Sequence, residues 1–237
     1  MKETGFIFAA GLGTRLKPIT NNKPKALVKL DGKTLLDDAI EKFIQSGVNN
    51  IIINVHHFPD LIIEHINSKN YAANIMISDE RAYLRETAGG LKFAEPFWFD
   101  KDLLIVYNVD INSNINLRKL IDYHLVNNND ATLAVRNRNT SRYLFFDDNN
   151  SKLCGWTNTK TGETLLSDHI GNYKKFAFSG IHVINTSFAT EIPSVEKLSL
   201  TNFYLNSMND NDIRCYIHNS DTWADVGKID DFGNRLS

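Results

Sequence analysis

Apolar positions in the first hundred residues follow two periods, one typical of strands and one typical of helices. Short β-rich apolar runs lie at 6–10 (FIFAA), 51–55 and 74–78. A helix ending at Gly47 is predicted over 33–47, where apolar residues recur at spacings of three and four: Leu35, Leu36, Ala39, Ile40, Phe43 and Ile44. Strands that alternate with helices indicate β-α-β units and a mostly parallel sheet.

The second half of the chain adds a hairpin to this pattern. A β-hairpin is predicted over 143–157, because Asp147-Asp148-Asn149-Asn150 favours a turn between two apolar runs. The other predicted elements are helices near 88–95, 115–127, 186–191 and 200–208, strands at 103–107, 131–136, 176–184 and 213–218, and a closing helix from 228.

These elements predict one α/β domain over 1–237. We expect a Rossmann-like fold in which a mixed, mostly parallel central sheet is flanked by helices. The hairpin is expected to form a small lid over the C-terminal edge of the sheet, where open α/β sheets bind ligands.

The composition of this domain excludes two classes of binding partner. The 237 residues are 42% hydrophobic and carry a formal charge of -2, so they give no basic field for nucleic acid. No apolar run approaches the roughly 18 to 20 residues that cross a bilayer, and the first residues do not resemble a signal peptide. We therefore expect a cytoplasmic protein that binds neither nucleic acid nor membrane.

The strongest chemical signal is the segment 6–27, FIFAAGLGTRLKPITNNKPKAL. It predicts a strand that leads into a phosphate-binding loop formed by Ala10, Gly11, Leu12, Gly13 and Thr14, whose backbone N–H groups would face an anion. Arg15 and Lys25 supply positive charge beside this loop. The dinucleotide fingerprint fails because residue 16 is leucine, and the P-loop pattern fails because Gly-Lys-Ser/Thr is absent.

With these residues the sequence resembles the sugar-phosphate nucleotidyltransferases, whose signature is a G-x-G-T-R loop followed by a P-K lysine. Four later blocks extend the resemblance: ETAGGL at 86–91, NVD at 108–110, FSGIHVI at 178–184 and WADVG at 223–227. Within the family, the sequence is most similar to N-acetylmuramate-1-phosphate uridylyltransferases and to mannose- or heptose-1-phosphate guanylyltransferases. The resemblance implies that an NTP and a sugar 1-phosphate form an NDP-sugar and pyrophosphate by in-line displacement.

The resemblance also assigns the catalytic residues. It implies that Asp110 and Asp225 bind Mg²⁺, that Arg15 holds the departing pyrophosphate, and that Lys25 bridges the α-phosphate and the sugar phosphate. The residues alone place Asp110 after an apolar strand, where its carboxylate emerges at the C-terminal edge or serves as a cap or turn residue. Asp225 alone is equally compatible with a turn.

Further ligand contacts follow from the resemblance. The implied nucleotide contacts outside the loop are Glu80, Thr87, Gly89 and Asn108, and the implied sugar-phosphate contacts are Lys25, Arg142, Ser179 and Gly180. From the residues alone, Thr87 also fits a helix cap, and Arg142 fits a solvated surface charge.

Several alternatives stay open. Asp110-Ile111-Asn112 imitates the D-x-D motif of metal-dependent glycosyltransferases, which consume NDP-sugars. Val109 replaces the glycine that the family usually has before the metal aspartate, which fits a non-catalytic nucleotide-binding subunit as well as an enzyme. Uridine with an N-acetylmuramate-like sugar is expected, and guanosine with mannose or heptose is the alternative. A homodimer is a further expectation.

Overall fold

The structure of the protein, a computed structural model, describes residues 1–168, 170–194, 197–227 and 235–236. The strands are β1 Glu3–Phe8, β2 Lys29–Leu30, β3 Lys33–Thr34, β4 Asn50–Val55, β5 Asn74–Asp79, β6 Leu103–Asn108, β7 Ile111–Ser113, β8 Ala131–Arg136, β9 Arg142–Asp147, β10 Leu153–Asn158, β11 Thr164–Leu166, β12 Tyr173–Asn185, β13 Ile213–Ile217 and β14 Trp223–Asp225. The helices are α1 Leu35–Gln45, α2 Pro59–Asn67, α3 Thr87–Phe93, α4 Glu95–Trp98, α5 Leu117–Val126, α6 Thr186–Ala189 and α7 Leu200–Ser207.

Within the described ranges, one ten-stranded mixed sheet forms the centre of the molecule. Its order is β11-β10-β9-β12-β6-β1-β4-β5, and β8 pairs with both β12 and β13. Neighbours from β6 to β5 are parallel, whereas β12 is antiparallel to β6, β8 and β9. The expected mixed α/β sheet is confirmed.

Six strands end at the same edge of this sheet. β5, β4, β1 and β6 run in one direction, and β8 shares it because β8 and β6 are both antiparallel to β12. β13 is parallel to β8 and ends there too. Loops that follow these strands therefore converge on one edge, which is the position where open α/β sheets bind ligands.

Two apolar cores cover the two faces of the sheet. Ile7 packs with residues of α1, α2 and α5, whereas the adjacent Phe6 packs with residues of α3, α4, α6 and α7. Adjacent strand residues point to opposite faces, which explains why the neighbouring residues Phe6 and Ile7 of β1 are both apolar and buried. In the described part of the chain, no helix has the length and apolar character required to span a membrane.

The helix predicted over 33–47 is shorter than expected. Lys33–Thr34 pairs with Lys29–Leu30 as a two-residue strand, so α1 begins at Leu35. Thr34 forms the N-cap, because its hydroxyl accepts the N–H of Asp37 at 3.0 Å. Gly47 follows the helix with a φ of +82°, the left-handed conformation that a glycine adopts readily at this position.

The predicted hairpin is confirmed, and it forms part of a larger antiparallel unit. The turn after β9 is closed by a hydrogen bond from the Asp147 N–H to the Lys152 carbonyl at 2.9 Å. β11 then adds to β10, and β12 adds to β9. The closing helix predicted from 228 lies outside the described residues.

A buried carboxylate at the start of α1 connects that helix to α2 and the segment after it. The Asp37 side chain is 7% exposed and accepts hydrogen bonds from His65 Nε2 at 2.8 Å, from Tyr71 Oη and from Lys69 Nζ. Burial would raise the pKa of Asp37, but hydrogen bonds from Lys69, Tyr71 and His65 outweigh it and hold the pKa well below its ordinary value.

This depressed pKa predicts acid-sensitive stability. Asp37 binds its proton less tightly in the folded state than in the unfolded state, so its contribution is complete above a pH of about 4 and is lost as the pH falls further. Asp37→Asn is expected to lower the free energy of unfolding by about 2–3 kcal/mol at pH 7 and to flatten its decline between pH 5 and pH 3. Urea unfolding across this pH range measures both effects.

The matched control is Asp60→Asn, which removes an exposed carboxylate paired with Arg81. Its urea midpoint is expected to match that of the unmodified protein. Parallel pH profiles for Asp37→Asn and the unmodified protein would contradict the role assigned to Asp37.

Candidate active site

A cavity of about 920 Å³ lies at the C-terminal edge of the sheet. Eleven of the residues predicted to contact substrates line it: Ala10, Gly11, Leu12, Gly13, Thr14, Arg15, Lys25, Thr87, Asn108, Asp110 and Arg142. The structure therefore brings the loop after β1 together with predicted residues from four other parts of the chain. Glu80, Gly89, Ser179, Gly180 and Asp225 are outside this lining.

The glycine-rich loop turns sharply after β1. Gly13 has a φ of +64°, and a Cβ at this position would lie 3.1 Å from side-chain atoms of Lys25 and Thr20. Its carbonyl accepts the Leu16 N–H at 2.9 Å and the Thr20 hydroxyl at 2.8 Å. Both the conformation and the packing therefore require glycine at position 13.

Gly11 differs from Gly13 because the protein around it leaves space. A Cβ at Gly11 would meet no described atom within 4 Å. Gly11 is exposed and borders the cavity. The fold therefore does not require glycine here, whereas a ligand that approaches the backbone closely would.

Lys25 and Asp110 form an ion pair at the cavity floor. Lys25 opens a short 3-10 turn, Lys25–Leu27, directly after Pro24, and its side chain is 9% exposed. Its Nζ donates to Asp110 Oδ2. Asp110 follows β6, as expected, so a cation from one loop and a carboxylate from another meet at the sheet edge.

A two-stranded ribbon places Asp225 next to Asp110. β14 pairs antiparallel with β7, and the register sets Asp225 opposite Ile111. The Val226 N–H donates to the Asp110 carbonyl at 2.7 Å, and Ser113 Oγ donates to the Thr222 carbonyl at 2.7 Å. Asp225 is therefore part of a strand rather than an isolated turn, and the predicted pair of carboxylates is brought together.

The charges around Asp225 explain its protonation behaviour. Burial raises the pKa of Asp225 above its ordinary value, and repulsion by Asp110 adds to the effect, against attraction by Lys25 and Arg15. Its Oδ2 lies 4.0 Å from Nη1 of Arg15. Its Oδ1 is shielded from solvent and accepts no hydrogen bond from a described residue.

This arrangement fits a hard divalent cation. Carboxylate oxygens are the ligands that Mg²⁺ prefers, and an unpartnered buried oxygen is available at Asp225. Within the described residues, no group of three or more His, Cys, Asp or Glu side chains is arranged to hold a metal. Asp110 and Asp225 would therefore hold a cation as a pair, with water or substrate oxygens as the other ligands.

Glu80 lies behind the cavity wall and positions a residue that the sequence analysis missed. Glu80 is 1% exposed, and its Oε1 accepts the side-chain N–H of Asn54 at 2.8 Å. Asn54 Oδ1 in turn accepts the Ala9 N–H at 2.8 Å and so fixes the start of the glycine-rich loop. Burial raises the pKa of Glu80. An asparagine inside the apolar run of β4 was the available sequence signal for this role.

Thr87 and Gly89 have different positions in α3. Thr87 borders the cavity and its hydroxyl accepts the Leu200 N–H at 2.8 Å, but it is the first residue of α3, and the N-cap position is occupied by Glu86. Gly89 is buried, and its N–H donates to the Leu198 carbonyl at 3.3 Å. These bonds bring the start of α7 to the cavity, which adds three lining residues that were not predicted: Ser199, Thr201 and Asn202.

Ser179 and Gly180 support the site from beneath. Ser179 is fully buried, with its hydroxyl 2.7 Å from His218 Nε2 and its carbonyl accepting the Trp223 indole N–H at 2.9 Å. Gly180 has a φ of +75°, and a Cβ there would lie 2.8 Å from Asn108 Nδ2. Their packing holds Trp223 and Asn108 in place. Because Ser179 has no exposed surface, its contact with His218 offers no accessible nucleophile.

Val109 and Arg142 both border the cavity but differ in burial. Val109 is 4% exposed, packs in the core with Ile7, and donates its N–H to the Phe8 carbonyl at 3.2 Å. Arg142 is exposed at the start of β9. Arg138 also lines the cavity and was missed. It follows β8, a strand that ends at the same edge as β6, so the rule that identified Asp110 also applies to it.

Comparison with known proteins gives consistent matches. The family model for nucleotidyl transferases matches residues 4–146. The chain is 45% identical over 91 residues to an N-acetylmuramate alpha-1-phosphate uridylyltransferase of Caulobacter vibrioides, over 37% of this chain and 38% of that protein. It is 29% identical over 239 residues to a mannose-1-phosphate guanyltransferase of Yarrowia lipolytica, over 96% of this chain and 61% of that protein. The matches thus span less than two thirds of these relatives.

A solved structure matches the whole fold. The crystal structure of HddC from Yersinia pseudotuberculosis complexed with GMP-PN has a TM-score of 0.75 and 20% identity, covering 98% of this chain and 96% of that chain. At this identity the likeness shows the fold alone. The family model, by contrast, matches more than half of the sequence and includes the glycine-rich loop, Lys25 and Asp110. The chain therefore belongs to the nucleotidyl transferase family.

Proposed function

We propose that this protein is a sugar-1-phosphate nucleotidyltransferase, which forms an NDP-sugar and pyrophosphate from an NTP and a sugar 1-phosphate. The observation that carries the proposal is the convergence of two cations and two carboxylates: Arg15, Lys25 and Asp110 line the cavity, and Asp225 lies beside them, 4.0 Å from Arg15. Two phosphorylated substrates bring several negative charges to one place, and such a reaction depends on neutralising and positioning them.

The reaction is an in-line displacement at the α-phosphorus. An oxygen of the sugar phosphate forms a bond to that phosphorus while the bond to the pyrophosphate oxygen breaks. A sugar phosphate is already ionised at neutral pH, so no general base is required. Arg15 would hold the pyrophosphate, and Lys25 would move from Asp110 to the phosphates that react. The backbone N–H groups of 10–14 would orient the NTP.

Asp110 and Asp225 are the residues that would hold Mg²⁺ here. When bound, the ion neutralises phosphate charge and aligns the two substrates. Their side chains provide hard oxygen ligands, and the ribbon formed by β7 and β14 fixes their separation.

Our preferred substrates are UTP and N-acetylmuramate 1-phosphate or a similar sugar, because one relative is named as an N-acetylmuramate alpha-1-phosphate uridylyltransferase. GTP with mannose or heptose 1-phosphate is the alternative, because another is named as a mannose-1-phosphate guanyltransferase. The cytoplasmic location and the homodimer remain predictions.

Release of pyrophosphate separates this function from the alternatives. The test incubates the protein with each of four NTPs, Mg²⁺ and a panel of sugar 1-phosphates, and measures pyrophosphate. A glycosyltransferase or a non-catalytic subunit would release none. In the glycosyltransferase alternative, Asn112 would take the place of the second aspartate of the D-x-D motif. The carboxylate that lies beside Asp110 is instead Asp225, from the paired strand β14. No release with any pair would therefore refute the proposal.

Asp110→Asn is expected to reduce kcat by at least about 100-fold, because the site loses several kcal/mol of charge stabilisation. The unfolding midpoint is expected to fall, because the buried Lys25 loses its ion-pair partner, so kcat is measured at a temperature where the variant is still folded. Asp102→Asn is the matched control, because Asp102 precedes the same strand at its opposite end and accepts the Lys2 N–H. Pyrophosphate release measures the effect, and equal kcat values for both variants would remove Asp110 from the mechanism.

Gly11→Ala is expected to raise the KM for the NTP about tenfold or more while leaving the urea midpoint unchanged. The added Cβ would meet no atom of the described residues within 4 Å but would enter the space assigned to the phosphates. Gly13→Ala is the comparison, because it strains the backbone and should lower the urea midpoint. An unaltered KM in a folded Gly11→Ala protein would show that the loop does not contact the NTP closely.

Asp225→Asn is expected to weaken binding of Mn²⁺, used as a probe for Mg²⁺, about tenfold or more in the presence of NTP. Chelation with EDTA should also stop pyrophosphate release, and added Mg²⁺ should restore it. Asp221→Asn changes a carboxylate in the same segment that lies beside His218 and should leave Mn²⁺ affinity unaltered. Calorimetric titration measures the affinity, and identical values for both variants would argue against Asp225 as a ligand.

A further inference from the structure

A second cavity, of about 430 Å³, adjoins the first at Arg138. Its lining residues are Asn137, Arg138, Asn139, Tyr143 and Lys175. Two of them are cations and none is a carboxylate, while the two asparagines and the tyrosine contribute neutral polar groups. Such a lining favours a negatively charged group.

This cavity lies on the other face of the antiparallel strands. Leu144 and Phe176 pack in the core that contains α3 and α7. Tyr143 and Lys175 are their immediate strand neighbours, and adjacent strand residues point to opposite faces. Since Arg138 lines both cavities, it stands where the two faces meet at the sheet edge.

Arg138 is held in place but keeps hydrogen-bonding capacity. Its Nη2 donates to the Phe178 carbonyl at 3.0 Å, and its guanidinium carbon lies 4.5 Å from the centre of the Trp223 ring. Its Nε is buried and has no hydrogen-bond partner within the described residues. Burial lowers the pKa of Arg138, and attraction by Asp225 opposes that change. A positioned guanidinium with an unused donor is suited to a carboxylate.

Lys175 provides the second cation. Its Nζ lies 5.0 Å from the centre of the Tyr143 ring, and its side chain is exposed on β12. The adjacent Lys174, by contrast, lies 3.4 Å from the carboxylate of Asp148. No ion pair is formed by Lys175 within the part of the chain that the structure describes.

We propose that the second cavity binds a carboxylate carried by the sugar, so that the protein prefers acidic sugar 1-phosphates to neutral ones. This inference rests on the proposed function. In the proposed reaction Lys25 contacts the 1-phosphate and Arg15 holds the pyrophosphate. Arg138 and Lys175, which line the second cavity, have neither of these roles and are available for a second anionic group on the same substrate. Arg138 lines both cavities and so lies between the site of the 1-phosphate and the proposed site of the carboxylate.

The sharpest test compares two substrates that differ only by a carboxylate-bearing group. N-acetylmuramate 1-phosphate is N-acetylglucosamine 1-phosphate with an added lactyl ether, so their kcat/KM ratio isolates the contribution of that group. Pyrophosphate release with the best NTP gives both values. A ratio of at least about ten in favour of the acidic sugar is expected.

Two substitutions test whether Lys175 and Arg138 cause the preference for the acidic sugar. Lys175→Met and Arg138→Gln are each expected to lower the acidic-to-neutral ratio about fivefold to tenfold, whereas Lys175→Arg retains the charge and should keep most of it. Lys174→Met is the matched control on the adjacent residue and should leave the ratio unaltered. The pair glucuronate 1-phosphate and glucose 1-phosphate repeats the comparison with a carboxylate on the ring itself.

The outcomes separate this inference from the proposed function. Pyrophosphate release with a ratio near one would overturn the inference and leave the function standing. Equal losses with both sugars in Lys175→Met and Arg138→Gln would also overturn it, because the two cations would then serve the shared 1-phosphate or the fold. No pyrophosphate with any pair would overturn the proposed function and this inference with it.

Discussion

The backbone hydrogen bond between Val226 and Asp110, 2.7 Å long, is the contact on which the rest of the site depends. It aligns a three-residue strand, Trp223–Asp225, with Ile111–Ser113 and so sets the two aspartates side by side. The central sheet alone would deliver only Asp110, because Asp225 belongs to a separate ribbon. Side-chain contacts strengthen this arrangement, since the Trp223 indole N–H donates to a buried carbonyl of β12.

The four charges of the site compensate one another. Lys25 pairs with Asp110, and Arg15 lies 4.0 Å from Asp225. A buried charge without a partner is costly, so Asp110 makes the buried Lys25 tolerable at the sheet edge, whereas Arg15 is 57% exposed and is solvated without a partner. In the proposed reaction, polyanionic substrates attract the cations away from the carboxylates, and a divalent ion takes their place. Substrate binding then mainly replaces one set of ion-pair partners with another and adds little uncompensated charge to the site.

The sequence predicted the main elements because their apolar periods are long enough to be specific. The helix of 35–45 and the apolar run 51–53 of β4 are such cases. Charged residues that follow parallel strands were also predictable, because the carboxyl ends of those strands meet at one edge of the sheet. Asp110 was identified in this way. β7 and β14 were missed because three residues carry no recognisable period, and their pairing joins distant parts of the chain.

Residues that act through others were the hardest to assign. Glu80 was expected to contact the nucleotide, whereas its carboxylate is buried and reaches the glycine-rich loop through Asn54. Ser179 was expected near the sugar, yet its hydroxyl is committed to His218. A motif shows that a residue belongs to a site, but only the packing shows whether its side chain faces the cavity or supports a neighbour that does.

The distribution of these residues separates the chemistry of the site from its selectivity. Asp110 and Asp225 are held by a strand end and a ribbon, and Arg15 and Lys25 by short 3-10 turns that contribute Leu16 and Ala26 to the core, so small displacements there would disturb that core. Arg138 and its neighbours belong instead to the loop between β8 and β9, where Asn137 and Asn139 are exposed. Exposed loops tolerate substitution better than strands that carry the core. In the proposed assignment, the part of the sugar selectivity that depends on Arg138 would therefore lie where substitutions are tolerated, whereas Lys175 is on the strand β12.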